Sequence, residues 1–132
     1  MKNFIITSNI FLLFPLVGSF FMKEWIYFAF VIGLCISSPL YHYLREYHSS
    51  KDYLFQTARK LDWIIAGSAY FMMFYYIFTK VNPTYQIPLF IALALTLVLF
   101  WYGYKIGNYQ KSHPWFHIIA PIVSGLIVIS FI

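Results

Sequence analysis

An all-α, polytopic transmembrane helix bundle is the fold class this sequence predicts, and three observations carry the prediction. The 132 residues are 61% hydrophobic and only 10% charged, far more apolar than a soluble domain. Five stretches, 4–22, 25–44, 61–79, 85–104 and 114–132, approach the roughly 20 apolar residues that a spanning helix needs. Their apolar runs are continuous, without the period-two alternation of barrel strands. At this length a single transmembrane domain, residues 1–132, is expected.

Taken in order, the first stretch follows Lys2 as a signal peptide would. It lacks a small-x-small cleavage site and runs straight into Lys23-Glu24, so it reads as a span. The second ends at Tyr41-His42-Tyr43-Leu44, just before Arg45. The longest connection, 43–60, repeats Leu54, Ala58 and Leu61 at helical spacing, so part of it is expected to lie on the membrane surface. The third span opens at Leu61-Asp62. Pro83 and Pro88 bracket the next turn and the start of the fourth span, which lacks charged residues and reads as scaffold. The fifth begins at Pro114. Tyr75, Tyr76, Trp101, Tyr102 and Tyr104 fall near span ends, as an aromatic belt does, and Met72-Met73 reads as packing.

The net charge of +5 resides between the apolar runs, where it sets topology and attracts lipid headgroups; membrane lipids, not nucleic acid, are the expected partners. Lys2, Arg45, Lys51, Arg59, Lys60, Lys105 and Lys111 fall on one side, and Lys23 and Lys80 on the other. This bias predicts an integral membrane protein with a cytoplasmic N terminus and a C terminus outside or in a lumen. Cys35, the one cysteine, excludes an internal disulfide and disfavours a cysteine metal site.

The residues that carry chemistry are Ser38-x-x-x-His42 at the end of the second span, Asp62 at the start of the third, and His113-x-x-x-His117 at the start of the fifth. Residues four apart share a helix face. The up-down order brings all five to the same cytoplasmic-side depth, near the headgroup boundary. Intramembrane ionisable groups are costly and mark function. Three neutral imidazoles, His42, His113 and His117, match a zinc set that keeps a fourth position for water. Asp62 would orient that water or take its proton, and Ser38 would donate to an oxyanion or to a ligand's outer shell. A lipid amide or ester would be the bond at hand. Blander readings stand beside these. Asp62 after Arg59-Lys60 also suits a helix dipole, and Ser38 its own backbone. Pro39 disfavours helix at Ser38, and Pro114 makes His113 a candidate cap. His48, six residues after His42 and off its face, reads as structural.

These motifs resemble the CREST superfamily of membrane hydrolases, which includes alkaline ceramidases, progestin and adipoQ receptors with bacterial hemolysin III proteins, and myomaker-like proteins. Ser37-Ser38-Pro39-Leu40-Tyr41-His42 is most similar to hemolysin III. Leu61-Asp62 with Ala66-Gly67, and Ser112-His113-Pro114-Trp115-Phe116-His117, resemble the family's third and last helices. The resemblance implies zinc on His42, His113 and His117, with Asp62 and Ser38 around the water, and an amidase or lipase activity. The family normally has seven spans, three of them between the Asp helix and the last helix; here there is one. Losing two helices keeps the ligands on one side but removes cavity wall. The pocket is then open to lipid, completed by a second copy in a homo-oligomer, or no longer catalytic. Two main functions follow: a zinc-dependent lipid hydrolase, or a non-catalytic hemolysin-like or receptor-like protein with a structural metal. A small transporter is disfavoured by the charge-free fourth span.

Overall fold

The computed structural model describes residues 2–107 and 109–131, with Lys2 and Asn3 as backbone only. Met1 and Ile132, the chain ends whose sides the charge bias predicts, lie outside the described residues, as does the Lys2 side chain. Among the described residues the chain is helical with no strand: α1 (Lys2–Ser8), a 3-10 segment (Asn9–Leu12), α2 (Leu13–Phe21), α3 (Trp25–Tyr47), α4 (Tyr53–Thr79), α5 (Pro83–Lys105) and α6 (Tyr109–Ile129). Phe4–Phe21 together with α3 to α6 make five stretches long and apolar enough to cross a membrane. The protein is a multi-pass integral membrane bundle.

The interruption in the first span has a local cause. Pro15 lacks an N–H and crowds the carbonyl four residues back. The preceding turn tightens to 3-10 geometry, and the buried Asn9 side chain donates to the Ile5 and Ile6 carbonyls. Elsewhere the prolines are absorbed. α3 runs through Pro39, so Ser38 is helical despite the bias against it, and its side chain faces the interior. α6 begins at Tyr109, which makes Pro114 an internal residue and puts His113 in the second turn rather than at a cap.

Two expectations are corrected at the triad end of the bundle. The connection read as residues 43–60 shrinks to His48–Asp52, because α3 continues to Tyr47 and α4 starts at Tyr53. No separate surface segment exists there: Phe55 and Ala58 bury against Tyr41 and Leu44, which extends the α3–α4 hairpin beyond the membrane-length run. Asp52 caps α4, its carboxylate accepting the Leu54 N–H at 3.1 Å. Asp62 consequently lies well inside α4, roughly 14 Å from its first residue at a rise of about 1.5 Å per residue. The helix-dipole account of Asp62 fails, because the effect fades beyond the first turn.

α6 is the central post. Just over half of its apolar window is buried (56%), against 22–33% for the other spans. Gly125 makes one close approach possible: a side chain there would collide with the Phe14 ring of α2. α3 pairs with α4 and α5 with α6 along their lengths, while α4 touches α5 and α6 sparsely. The α5–α6 turn contains Gly107 at φ +74°, a conformation glycine adopts without steric cost. The end away from the histidines is fastened. Lys80 bonds both oxygens of Glu24 at 2.6 and 2.7 Å, Asn82 N–H donates to the Ser130 carbonyl at 3.0 Å, and Val81 bridges Phe131. The main core, with Met72, Met73, Ile77, Leu93 and Ile127, fills that half. Met72-Met73 is packing, as read. Tyr75, Trp101, Tyr102 and Tyr104 are exposed near helix ends, whereas Tyr76 is buried, its hydroxyl donating to Glu24.

Candidate metal centre

α3 and the two helices antiparallel to it, α4 and α6, deliver the polar residues to one end. His42 lies five residues before the end of α3, and His113 and His117 occupy successive turns near the start of α6. All three are buried, at 2%, 4% and 8% exposure. The Nε2 of His117 lies 2.9 Å from that of His42 and 3.0 Å from that of His113, and one ligand atom from each ring falls within 4.8 Å of the others. The rings of His42 and His117 cross at 87°, and those of His113 and His117 at 81°, so the nitrogens converge while the rings diverge.

Neutral imidazoles offer one N–H each. With Nε2–H on all three, donors face one another; with Nδ1–H on all three, lone pairs face one another; with Nε2–H on His117 alone, one proton is shared between two acceptors and the Nδ1–H groups of His42 and His113 stay unpaired. Neither His42 Nδ1 nor His113 Nδ1 has a hydrogen-bond partner. A buried polar atom left unpaired is destabilising, and three facing lone pairs are tolerable around a cation. The arrangement is compatible with a metal site of three imidazoles.

The predicted companions divide. Asp62 is buried (9%) and lines the same cavity as His113 and His117, outside the ligating group. Its Oδ1 accepts from Ser37 Oγ at 3.1 Å. Ser38, the serine singled out by spacing, is buried beside the cavity and its hydroxyl has no partner. Ser37 was missed; the Ser37-Ser38 doublet was the only signal, and the rotation of α3 decides which hydroxyl meets which group. Tyr109 was also missed. Its ring stacks on His113 at 4.0 Å and 19°, and the Arg45 guanidinium lies over it at 3.7 Å. His48 is exposed and bonds Asp52 at 3.1 Å, a loop contact away from the site.

The cavity, about 410 Å³, runs from Ser38, Asp62, His113 and His117 toward Tyr27 and Ser124 in the far half. Tyr27 closes that end, its hydroxyl 2.7 Å from Ser124 Oγ. Between these polar ends the lining is apolar. Its exposed members, among them Trp63, Gly67, Phe71, Leu97 and Tyr104, belong to α4 and α5. The thin wall is therefore the seam between those helices, crossed at mid-depth by Tyr70 Oη bonded to Thr96 Oγ1 at 2.7 Å. Comparison with family models, with curated proteins and with solved structures finds no match to this chain.

Proposed function

We propose that the protein is a membrane-embedded, zinc-dependent hydrolase of a lipid amide or ester, related to the CREST superfamily in a shortened five-span form. The observation that carries the reading is the convergence of three buried imidazole Nε2 atoms at one end of an apolar cavity that also holds a buried carboxylate. His42, His113 and His117 hold the metal. Four-coordinate zinc at about 2.0–2.1 Å separates its nitrogens by about 3.3 Å, a few tenths of an ångström wider than the present spacing. The ion supplies Lewis acidity and makes water acidic near neutral pH. Asp62, held by Ser37, takes the proton of the attacking water and returns it to the leaving amine or alcohol. Ser38, with an uncommitted hydroxyl, donates to the carbonyl oxygen as charge develops there. The apolar cavity receives the acyl chain. The basic loops support a location of this end at the cytoplasmic leaflet.

A non-catalytic reading, with the metal as a clasp, draws support from the contact of His117 with His42, which joins α6 to α3. Two measurements separate the readings. Metal content by mass spectrometry is expected to give one zinc per chain in detergent-purified protein, lost in His42→Ala and His117→Ala. Asp62→Asn is expected to keep the zinc and the thermal melt while lowering lipid turnover by about 100-fold or more, the scale of general acid–base catalysis. Absence of zinc from folded protein sinks both readings. Zinc with no turnover across a panel of acyl amides and esters leaves the clasp.

A further inference from the structure

The stack of Arg45, Tyr109 and His113 is not used by the hydrolytic groups. Tyr109 has His113 at 4.0 Å, nearly parallel, and the Arg45 guanidinium at 3.7 Å from its ring centre. Two groups that close to one centroid cannot share a face, so the tyrosine ring is sandwiched. Tyr109 lines the cavity with Ser38, Asp62 and His113. Arg45 itself is exposed, three residues beyond His42 on α3. A permanent cation is thus fixed one ring away from the nitrogens that would hold a second cation. The last turn of α3 and the Tyr109 ring both favour a cation here, and an anion between or beside the two positive charges would be attracted by both. A guanidinium stacked by its face still presents its N–H donors along its edge, in the geometry that grips a carboxylate or phosphate. Arg45, Lys51, Arg59, Lys60, Lys105 and Lys111 gather at the same end of the bundle, so anionic amphiphiles concentrate there.

Resting on the hydrolase reading, we infer that Arg45 is a specificity-determining residue and that the substrate is a single-chain acyl lipid with an anionic head next to the scissile carbonyl. The cavity admits the tail. Its volume of about 410 Å³ lies at the small end of ligand sites, about 300–1,000 Å³, which suits one chain rather than two. With Tyr109 between them, the Arg45 guanidinium and the His113 ring centre stand no more than about 7.7 Å apart. An anion gripped by the edge of Arg45 and a carbonyl held at the histidines are then separated by only a few bonds in the substrate. An N-acyl amino acid has this layout, with its carboxylate one carbon from the amide nitrogen. Its hydrolysis breaks the amide C–N bond. Water gives its hydroxyl oxygen to the carbonyl carbon and a proton to the nitrogen, releasing a fatty acid and an amino acid.

The test is calorimetric titration of the full chain in neutral detergent with N-lauroylglycine and with N-lauroylethanolamine, which differ in the head carboxylate. Dodecyl phosphate and inorganic phosphate form parallel arms. Asp62→Asn serves as background so that bound lipid is not consumed. The expected result is about tenfold tighter binding of N-lauroylglycine than of its neutral partner. That preference is lost in Arg45→Gln, partly kept in Arg45→Lys and unchanged in Lys51→Gln. Dodecyl phosphate binding with the same Arg45 dependence widens the head to phosphate. Equal binding of the matched pair, a preference that survives Arg45→Gln, or inorganic phosphate binding as tightly as the lipids overturns the inference. Cobalt(II) loading of each variant, read by its visible spectrum, is a separate axis. Failure to take up cobalt counts against the metal reading, while the calorimetric comparison still decides on Arg45. Cobalt retention in Arg45→Gln reports that the variant has folded.

Discussion

Two neighbouring serines, alike in sequence, do different work in the bundle. Ser37 Oγ donates to the buried Asp62 carboxylate, whereas Ser38 Oγ is buried with no partner. Removing one member of a buried hydrogen bond strands the other, at about 1–3 kcal/mol. Ser37→Ala is therefore expected to lower the thermal or denaturant stability of the detergent-solubilised protein by that amount. Ser38→Ala removes an orphan and should leave stability nearly unchanged while lowering lipid turnover under the hydrolase reading. A reversed order of the two stabilities would contradict the hydrogen-bond assignment. At this scale the three histidines and Asp62 were legible, because i,i+4 spacing and up-down order bring them to one end whatever the packing details. Ser37 and Tyr109 were not. Choosing between adjacent serines needs the rotation of α3. The Tyr109 stack depends on α6 starting five residues before Pro114, a boundary that proline chemistry argued against.

Element ends tell the same story in another form. Apolar length identified every spanning stretch, but it measured the membrane-compatible part of each helix, not the helix itself. α4 extends eight residues before Leu61 because Phe55 and Ala58 pack on α3, a tertiary gain that a hydropathy window does not see. The beginning of α4 is set by Asp52, whose carboxyl is held below its ordinary range chiefly by the Leu54 N–H, then by His48. A folded-state value below the unfolded one means that the capping contribution is fully present above the unfolded value, about 3.9. It is lost as pH falls through the lower folded value. Asp52→Asn still caps but does not ionise. Melts of the two proteins between about pH 5 and pH 2 are expected to converge toward the acid end as the wild-type advantage disappears. Parallel curves would remove Asp52 from the acid limb.

The shape of the whole bundle follows from unequal fastening. Its far end is closed by the Glu24–Lys80 ion pair and the Asn82–Ser130 hydrogen bond, while α4 stands apart from α5 and α6 along the cavity. No sequence pattern encodes that gap; it is what remains when two hairpins, α3–α4 and α5–α6, each satisfy their own seam around the α1–α2 span. Gly67 tests its role. It is exposed, it lines the cavity, and a side chain at its position meets nothing within 4 Å. Gly67→Phe therefore adds bulk where there is room, and replacing glycine inside a helix recovers some backbone entropy. The melt and the metal content should hold or improve. If lipid reaches the histidines through the α4–α5 seam, turnover and N-lauroylglycine binding should both fall, because the new ring occupies the entrance. Undiminished binding in a stable, metal-loaded Gly67→Phe protein would mean that the ligand enters past Tyr109 at the basic end instead. The seam would then be a consequence of how the two hairpins pack, with no part in access.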